Sequence, residues 1–266
     1  MAENELGAIV LAAGKGTRMK SDLPKVLHRL GGKPMVTHVT DLVRSVGVDT
    51  VCVVIAPGMD SVATAVEPCE TAVQVEALGT GHAALAAAPV MDGTCKDVFI
   101  LFGDTPLITP ETLSAMIAAK RAPTAPGVVV LGMQVEQENA YGRLILGADG
   151  TLNRIVEFND ATREERAVTL CNSGVMLVDG ERLFGWLRQI GNDNAKGEYY
   201  LTDLIAIARA DGAVCAVVEG AEEELLGINS RVELAAAEAI LQGRLRHAAM
   251  LSGVTMPLPE TVYLCC

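Results

Sequence analysis

The chain has 266 residues, half of them hydrophobic and 20% charged, which is the mix of a soluble globular protein. At ~150 residues per domain, that length allows one large domain or a domain plus an appendage. With 21 basic residues against 33 acids, the net charge of −12 excludes the electrostatic footprint of a non-specific nucleic-acid or anionic-membrane binder.

Aromatic residues make up only 3%, so the core must be built from Ala, Val, Leu and Ile. Such cores suit layered α/β folds, whose parallel strands are buried on both faces. In chain order, strand and helix signals alternate. An apolar strand over 7–12 leads into a Gly-rich loop. Helical spacing follows over 35–46, then a β-branched strand over 50–55. A short helix is expected at 60–66, a short strand at 71–75, and an Ala-rich helix at 81–90. A strand at 97–102, a helix at 110–121 starting on a proline, and a strand at 127–135 complete the pattern of a doubly wound, mostly parallel sheet. In the second half, runs 142–146 and 152–158 flank Asp149-Gly150, a strong hairpin turn dipeptide. A strand at 171–178, helices at 180–190 and 201–210, a strand at 213–218 and a long helix at 230–251 follow.

Met1–Leu6 carries two acids and no signal-peptide pattern. No apolar run reaches the ~18 residues of a membrane span. The 7 cysteines form no Cys-x-x-Cys pair and no zinc spacing. They read as reduced thiols of a cytoplasmic protein.

Chemistry begins at Leu11-Ala12-Ala13-Gly14-Lys15-Gly16-Thr17-Arg18-Met19. Glycines let backbone N–H groups approach a phosphate, and a following helix N-terminus would add its positive end. The run is neither a Walker A loop nor a dinucleotide fingerprint, because Met19 holds the third glycine position. Pro24 would aim Lys25 back at this loop.

With Asp22-Leu23-Pro24-Lys25-Val26-Leu27, the loop resembles the sugar-nucleotide pyrophosphorylase signature. The order continues with Gly79-Thr80-Gly81-His82-Ala83, Gly103-Asp104-Thr105-Pro106-Leu107-Ile108 and Tyr141-Gly142-Arg143. Ile155-Val156-Glu157, Asn172-Ser173-Gly174, the run from Gly197 to Asp203, and Gly227-Ile228-Asn229-Ser230-Arg231 complete it. Together they resemble the uridyltransferase half of the bacterial bifunctional N-acetylglucosamine-1-phosphate uridyltransferases and glucosamine-1-phosphate acetyltransferases. The resemblance runs from about Gly7 to Leu264.

It implies transfer of UMP from UTP to N-acetylglucosamine 1-phosphate, releasing pyrophosphate. The attacking phosphate is already an anion, so positioning and charge neutralisation carry the catalysis. Leu11, Ala12, Ala13 and Gly14 would line the uracil and ribose side. Gln74 would bond the uracil edge through an amide that offers both donor and acceptor, with Gly79 and Thr80 continuing that wall. Arg18 and Lys25 would hold the triphosphate. Asp104, next to Gly103 at a strand's C-terminal edge, and Asn229 would be the Mg2+ ligands. Without the resemblance, Asn229 reads as a helix N-cap before Ser230. Gly142, Glu157 and Asn172 would contact the sugar, with help from Tyr200 and Thr202.

Two positions depart from the family pattern. Ala77 stands where a second Gln is usual, and Phe102 where a Tyr precedes Gly103-Asp104. Both bear on nucleotide and sugar preference, and they keep open a related transferase with other ligands, or a non-catalytic nucleotide-sugar binder. The expected organisation is a nucleotidyltransferase domain over 1–229 with a hairpin sugar-binding subdomain, a helical arm over 230–252, and a stub over 253–266. Within it, the run 259–264 resembles the entry to a left-handed β-helix, but the sequence shows no hexapeptide period, so no acetyltransferase activity is expected and the oligomeric state is left open.

Overall fold

A computed structural model describes residues 4–137 and 139–266. Met1–Glu3, the first residues of the acidic start noted above, and Glu138 lie outside them. Strand β1 (Asn4–Leu11) enters the centre of the main sheet. A two-stranded turn, β2 (Arg29–Leu30) and β3 (Lys33–Pro34), then leads into α1 (Met35–Ser45). Next come β4 (Thr50–Ile55), α2 (Asp60–Ala65) and β5 (Glu70–Val73). The Ala-rich helix expected over 81–90 is two helices, α3 (Thr80–Ala86) and α4 (Ala88–Met91). Pro89 in the first turn of α4 lacks the N–H that would continue the earlier helix.

Strand β6 (Cys95–Phe102), α5 (Pro110–Lys120) and β7 (Val128–Gln134) follow as expected. The hairpin is β8 (Arg143–Leu146) and β9 (Leu152–Val156), trailed by the single turn α6 (Arg163–Arg166). It is not a separate layer, because β8 pairs with β10 (Leu170–Asp179) at Arg143 and Cys171. The chain continues through α7 (Gly180–Leu187), α8 (Leu204–Ala210), β11 (Cys215–Glu219) and α9 (Arg231–Leu251).

The long path of the sheet runs β11-β7-β10-β6-β1-β4-β5. Strands β6, β1, β4 and β5 are mutually parallel, whereas β10 runs antiparallel to both β6 and β7. Alternate residues of β1 serve the two faces: Ile9 and Leu11 join one core, and Ala8 and Val10 the other. A third, smaller core of Leu30, Met35, Leu107, Ile228 and Ala237 seats α9.

From β1 the chain builds outward to β4 and β5, then returns to place β6 on the other side of β1. The order therefore reverses between β1 and β6, and a crevice opens beyond their carboxyl ends, where open α/β sheets bind ligands. Leu11 and Phe102 are register partners there, so the loops after them lie side by side. Among the described residues, no helix is long and apolar enough to cross a membrane.

The segment expected as a stub is tied down at its end. The Gln242 amide donates to Leu264 O at 2.6 Å and accepts from Leu264 N at 2.8 Å, and Cys266 N donates to Gly31 O at 2.8 Å.

Candidate active site

The crevice holds a cavity of about 370 Å3. Its lining includes Leu11, Ala12, Ala13, Gly14, Lys25, Gln74, Gly79, Thr80 and Asp104 of the expected site, with Lys15, Phe102 and Glu198 beside them. Buried Leu11 and Ala12 end β1, and Gly103 N donates to Leu11 O at 2.9 Å. This bond sets Asp104 against the Gly-rich loop. Gly14 is exposed, and a Cβ there would meet nothing within 4 Å, so the loop backbone is open to a ligand. Gly16 is needed for a different reason. Its φ is +61°, and a Cβ would fall 2.4 Å from Lys25 Cβ. The close approach of Lys25 over this glycine brings the two halves of the motif together.

The helix N-terminus expected after the loop is absent. Only a single 3-10 turn, Thr17–Met19, follows, anchored by fully buried Met19. What the loop presents toward the cavity is its own backbone and nearby side-chain cations, Lys15 and Lys25 among the lining residues. Arg18 is exposed on that turn and does not line the cavity.

Lys25 opens a second 3-10 turn behind Pro24. Its ammonium donates to the Asp104 carboxylate and, at 2.9 Å, to Asn229 Oδ1. The Lys25 and Asp104 side chains retain only 13% and 15% of their exposure. The N-cap of α9 is Ser230, whose hydroxyl accepts from Glu233 N, so the N-cap reading of Asn229 is corrected. That leaves the Asn229 amide oxygen free for the site. The segment that carries it is held by Ile228 N donating to Asp104 O at 2.9 Å. Sequence reasoning did not select Arg231, whose Nε donates to Met19 O at 3.1 Å and fastens α9 to the phosphate loop. Two hard oxygens, one from Asp104 and one from Asn229, thus converge on a single cation. That donor set fits Mg2+, which takes one or two protein oxygens and completes its shell with water and phosphate.

The side of the cavity expected to take the base is a wall of small residues closed by a strap from the second half of the chain. Gly79 has φ +118° and ψ 175°, a backbone region open essentially to glycine alone. A Cβ there would lie 2.6 Å from Tyr199 O and 2.8 Å from Tyr199 N. Two bonds make the strap, Tyr199 N to Leu78 O and Gly81 N to Tyr199 O, each at 2.8 Å. Gln74 is buried, and its Nε2 donates to Gly79 O at 3.0 Å and lies 3.2 Å from His82 Nδ1. Both amide hydrogens are therefore spent within the protein, which corrects the expectation that this amide offers the base both a donor and an acceptor.

Gly142, Glu157 and Asn172, the residues expected on the sugar side, do not line the cavity; they form a neighbouring group. Asn172 N donates to Gly142 O at 2.8 Å, and Asn172 Oδ1 accepts from Gly174 N at 3.0 Å. Gly174, with φ +90°, is the link to the cavity: a Cβ there would fall 2.5 Å from the Phe102 ring. The segment leading into the hairpin owes its position to Arg143, another residue the sequence left without a role. Its buried guanidinium donates to Tyr141 O, to Asn139 Oδ1 at 2.9 Å and to Arg166 O at 3.4 Å. Glu157 accepts from the buried Thr202 hydroxyl at 3.1 Å.

Burial pushes the Glu157 carboxyl up from its usual pKa, and the Thr202 hydrogen bond offsets part of that. A carboxyl raised on folding favours the native state while protonated. The benefit is lost as pH rises through the folded value, leaving a penalty at neutral pH. Glu157→Gln removes the penalty and keeps an acceptor for Thr202. It is expected to melt above the wild type at pH 7, with the gap closing below the ordinary carboxylate range. Calorimetry at pH 7 and about pH 3, below the ordinary glutamate value, checks this; an equal or lower Tm at pH 7 contradicts it.

A model of the MobA-like NTP transferase domain matches residues 8–171. The chain belongs to this family. Among curated relatives, the bifunctional protein GlmU of Rhodospirillum rubrum is 58% identical over 256 residues, covering 96% of this chain and 57% of that protein. The protein of the same name from Paramagnetospirillum magneticum is 53% identical, covering 99% of this chain and 58% of its own length. The chain thus spans less than two thirds of the relatives it matches. The fold is shared with a UDP-glucose pyrophosphorylase solved with UDP-glucose, at TM-score 0.71 and 17% identity, over 90% of this chain and 99% of that one. Within the MobA-like family frame, the match spans the Gly-rich loop, Lys25, Asp104 and the first sugar-side glycine, Gly142, and ends at Cys171.

Proposed function

We propose that this chain is a Mg2+-dependent uridylyltransferase that makes UDP-N-acetylglucosamine from UTP and N-acetylglucosamine 1-phosphate. The observation that carries the reading is the Lys25 ammonium held between Asp104 and Asn229 at the mouth of a crevice lined by the Gly-rich loop. The likeness to bifunctional GlmU proteins supports the choice of substrates.

In this reading an oxygen of the sugar phosphate attacks the α-phosphorus of UTP. The new P–O bond forms as the bond to the β-phosphate oxygen breaks, and pyrophosphate leaves with the displaced charge. No proton has to be taken from the nucleophile, so the chain supplies position and positive charge. Lys25, with Arg18 and the loop N–H groups, holds the triphosphate and offsets charge on the leaving group. Asp104 and Asn229 would hold Mg2+, which supplies Lewis-acid neutralisation of the phosphates when bound. Leu11, Ala12, Ala13, Gly14, Gly79 and Thr80 enclose the base and ribose. Gly103 keeps the floor of the site thin, with a Cβ there reaching Val26 and Ala12 at 3.2 and 3.4 Å. Gly142, Glu157 and Asn172 take the sugar. The reading also places the enzyme in the cytoplasm, where buried thiols such as Cys52, pushed up to about 12, stay reduced and inert.

Pyrophosphate release with a panel of nucleoside triphosphates and sugar 1-phosphates, with and without Mg2+, tests the proposal. UTP with N-acetylglucosamine 1-phosphate is expected to be the preferred pair, and chelation is expected to stop turnover. Ala77 and Phe102 both line the cavity, so a related transferase would show itself as another preferred pair. Tight UDP-sugar binding without turnover by any pair would sink the enzymatic reading.

A further inference from the structure

We propose that His82, together with the Gly79 carbonyl, sets the base preference of the nucleotide pocket by fixing which end of the Gln74 amide faces the base. The inference rests on the uridine reading above and deepens it.

The argument is one of donors and acceptors. Gln74 Nε2 lies 3.0 Å from Gly79 O and 3.2 Å from His82 Nδ1. A backbone carbonyl only accepts, so the end of the amide facing Gly79 is the NH2 group. An amide nitrogen does not accept, so His82 Nδ1 must be the acceptor of the second hydrogen. His82 is then neutral, with its own hydrogen on Nε2. Gln74 Oε1 remains, without a hydrogen-bond partner among the described residues, and Gln74 lines the cavity. A lone acceptor reads a donor. Uracil presents an N3–H at its pairing edge, whereas cytosine presents an unprotonated N3, so acceptor would face acceptor.

His82 is built to hold its place. It sits in the first turn of α3, after Gly81, whose N–H is bonded to Tyr199 O at 2.8 Å. Its ring lies 6.2 Å from the Tyr199 ring at 36°. His82 does not line the nucleotide cavity, so it acts through Gln74 as a positioning residue. With a hydrogen on Nδ1 instead, this contact would set donor against donor and oppose the hold of Gly79 O on the amide.

The test compares kcat/KM for UTP and CTP in the full chain. His82→Leu is expected to lower the UTP value and narrow the UTP-to-CTP ratio, each by about 10-fold, the worth of one well-placed hydrogen bond. The KM for the sugar phosphate is expected to stay unchanged. His82→Asn puts an amide oxygen near the place of Nδ1 and is expected to bring the ratio back to within about twofold. Equal losses for UTP and CTP, or no recovery in His82→Asn, would overturn the proposal, since packing alone moves both nucleotides together. Nitrogen-detected NMR of the imidazole gives a reading that needs no activity. The Nε2–H tautomer is expected at neutral pH, and Nδ1–H overturns the inference. A wild-type chain that ignores UTP would fell the uridine reading, and the tautomer alone would then decide the role of His82.

Discussion

Lys25→Ala and Asp104→Ala are each expected to lower the rate of pyrophosphate release at least ~100-fold, the scale of losing one group aimed at transition-state charge. Lys25 is the cation that the geometry places against Asp104 and Asn229, and no other lysine or arginine side chain bonds Asp104 among the described residues. Removing Asp104 takes away a charged oxygen donor that Asn229 cannot replace. Neither change opens a hole in the core, because both side chains end in the cavity. Circular dichroism and Tm are therefore expected to stay close to wild type. Since the pair acts on one charge, the double variant is expected to fall about as far as either single variant, not by the product. Lys25→Arg is a poor substitute, because a planar fork cannot stand in for a compact ammonium between two oxygens. Steady-state rates near wild type in both alanine variants would remove the basis of the assignment.

The second large effect is expected from Gly79→Ala. At φ +118° and ψ 175° an L side chain is strained by about 1–3 kcal/mol before any contact is counted. Here the contact is with the backbone of Tyr199, at 2.6 and 2.8 Å, which no rotamer change can relieve. The chain can respond in two ways. Either the strap from Gly197 to Leu201 stays and the fold loses about 3 kcal/mol, lowering Tm by several degrees, or the loop moves and Gln74 loses its Gly79 anchor. In the second case the KM for UTP rises at least ~10-fold while the KM for the sugar phosphate holds. Calorimetry and the KM split distinguish the two. An unchanged Tm together with an unchanged KM for UTP would contradict the account of this loop.

Much of the fold was legible because the signals are local. The runs at Thr50–Ile55 and Cys95–Phe102 are apolar and too short for core helices, and Gly or Pro punctuates nearly every element. The direction of β10 was not legible. A strand buried on both faces reads the same whichever way it runs, and β10 is antiparallel to two neighbours because it returns from the hairpin to fill the gap between β6 and β7. The hairpin's attachment to the main sheet rests on one pairing, Arg143 with Cys171, which no periodicity announces.

The site divides in the same way. Gly14, Lys25 and Asp104 stand out in the sequence because each lies in a compact motif, Gly14 and Asp104 just past a strand and Lys25 behind Pro24. Asn229 did not, being 204 residues from the lysine it meets. Glu157 and Asn172 were found only through family resemblance, since an acid just past a strand and an amide in a bulge carry no local mark. His82, Arg143 and Arg231 were missed as functional residues because their work is done through a partner: an amide, the segment before the hairpin and a carbonyl brought near by folding.

By itself, then, the sequence determined the layered α/β class, the Gly-rich loop and the gathering of scarce positive charge on an acidic chain at Lys15, Arg18 and Lys25. Those properties depend on residue type and short spacing. Tertiary structure decided which of these cations faces the acid: Lys25 meets Asp104 while Arg18 stays on an exposed turn. It also decided which atoms are left for ligands. The free oxygen of Gln74 exists only because Gly79 and His82 consume both hydrogens of its amide. Hydrogen-bond direction is set by partners that the chain brings together in space, and composition and spacing do not encode it.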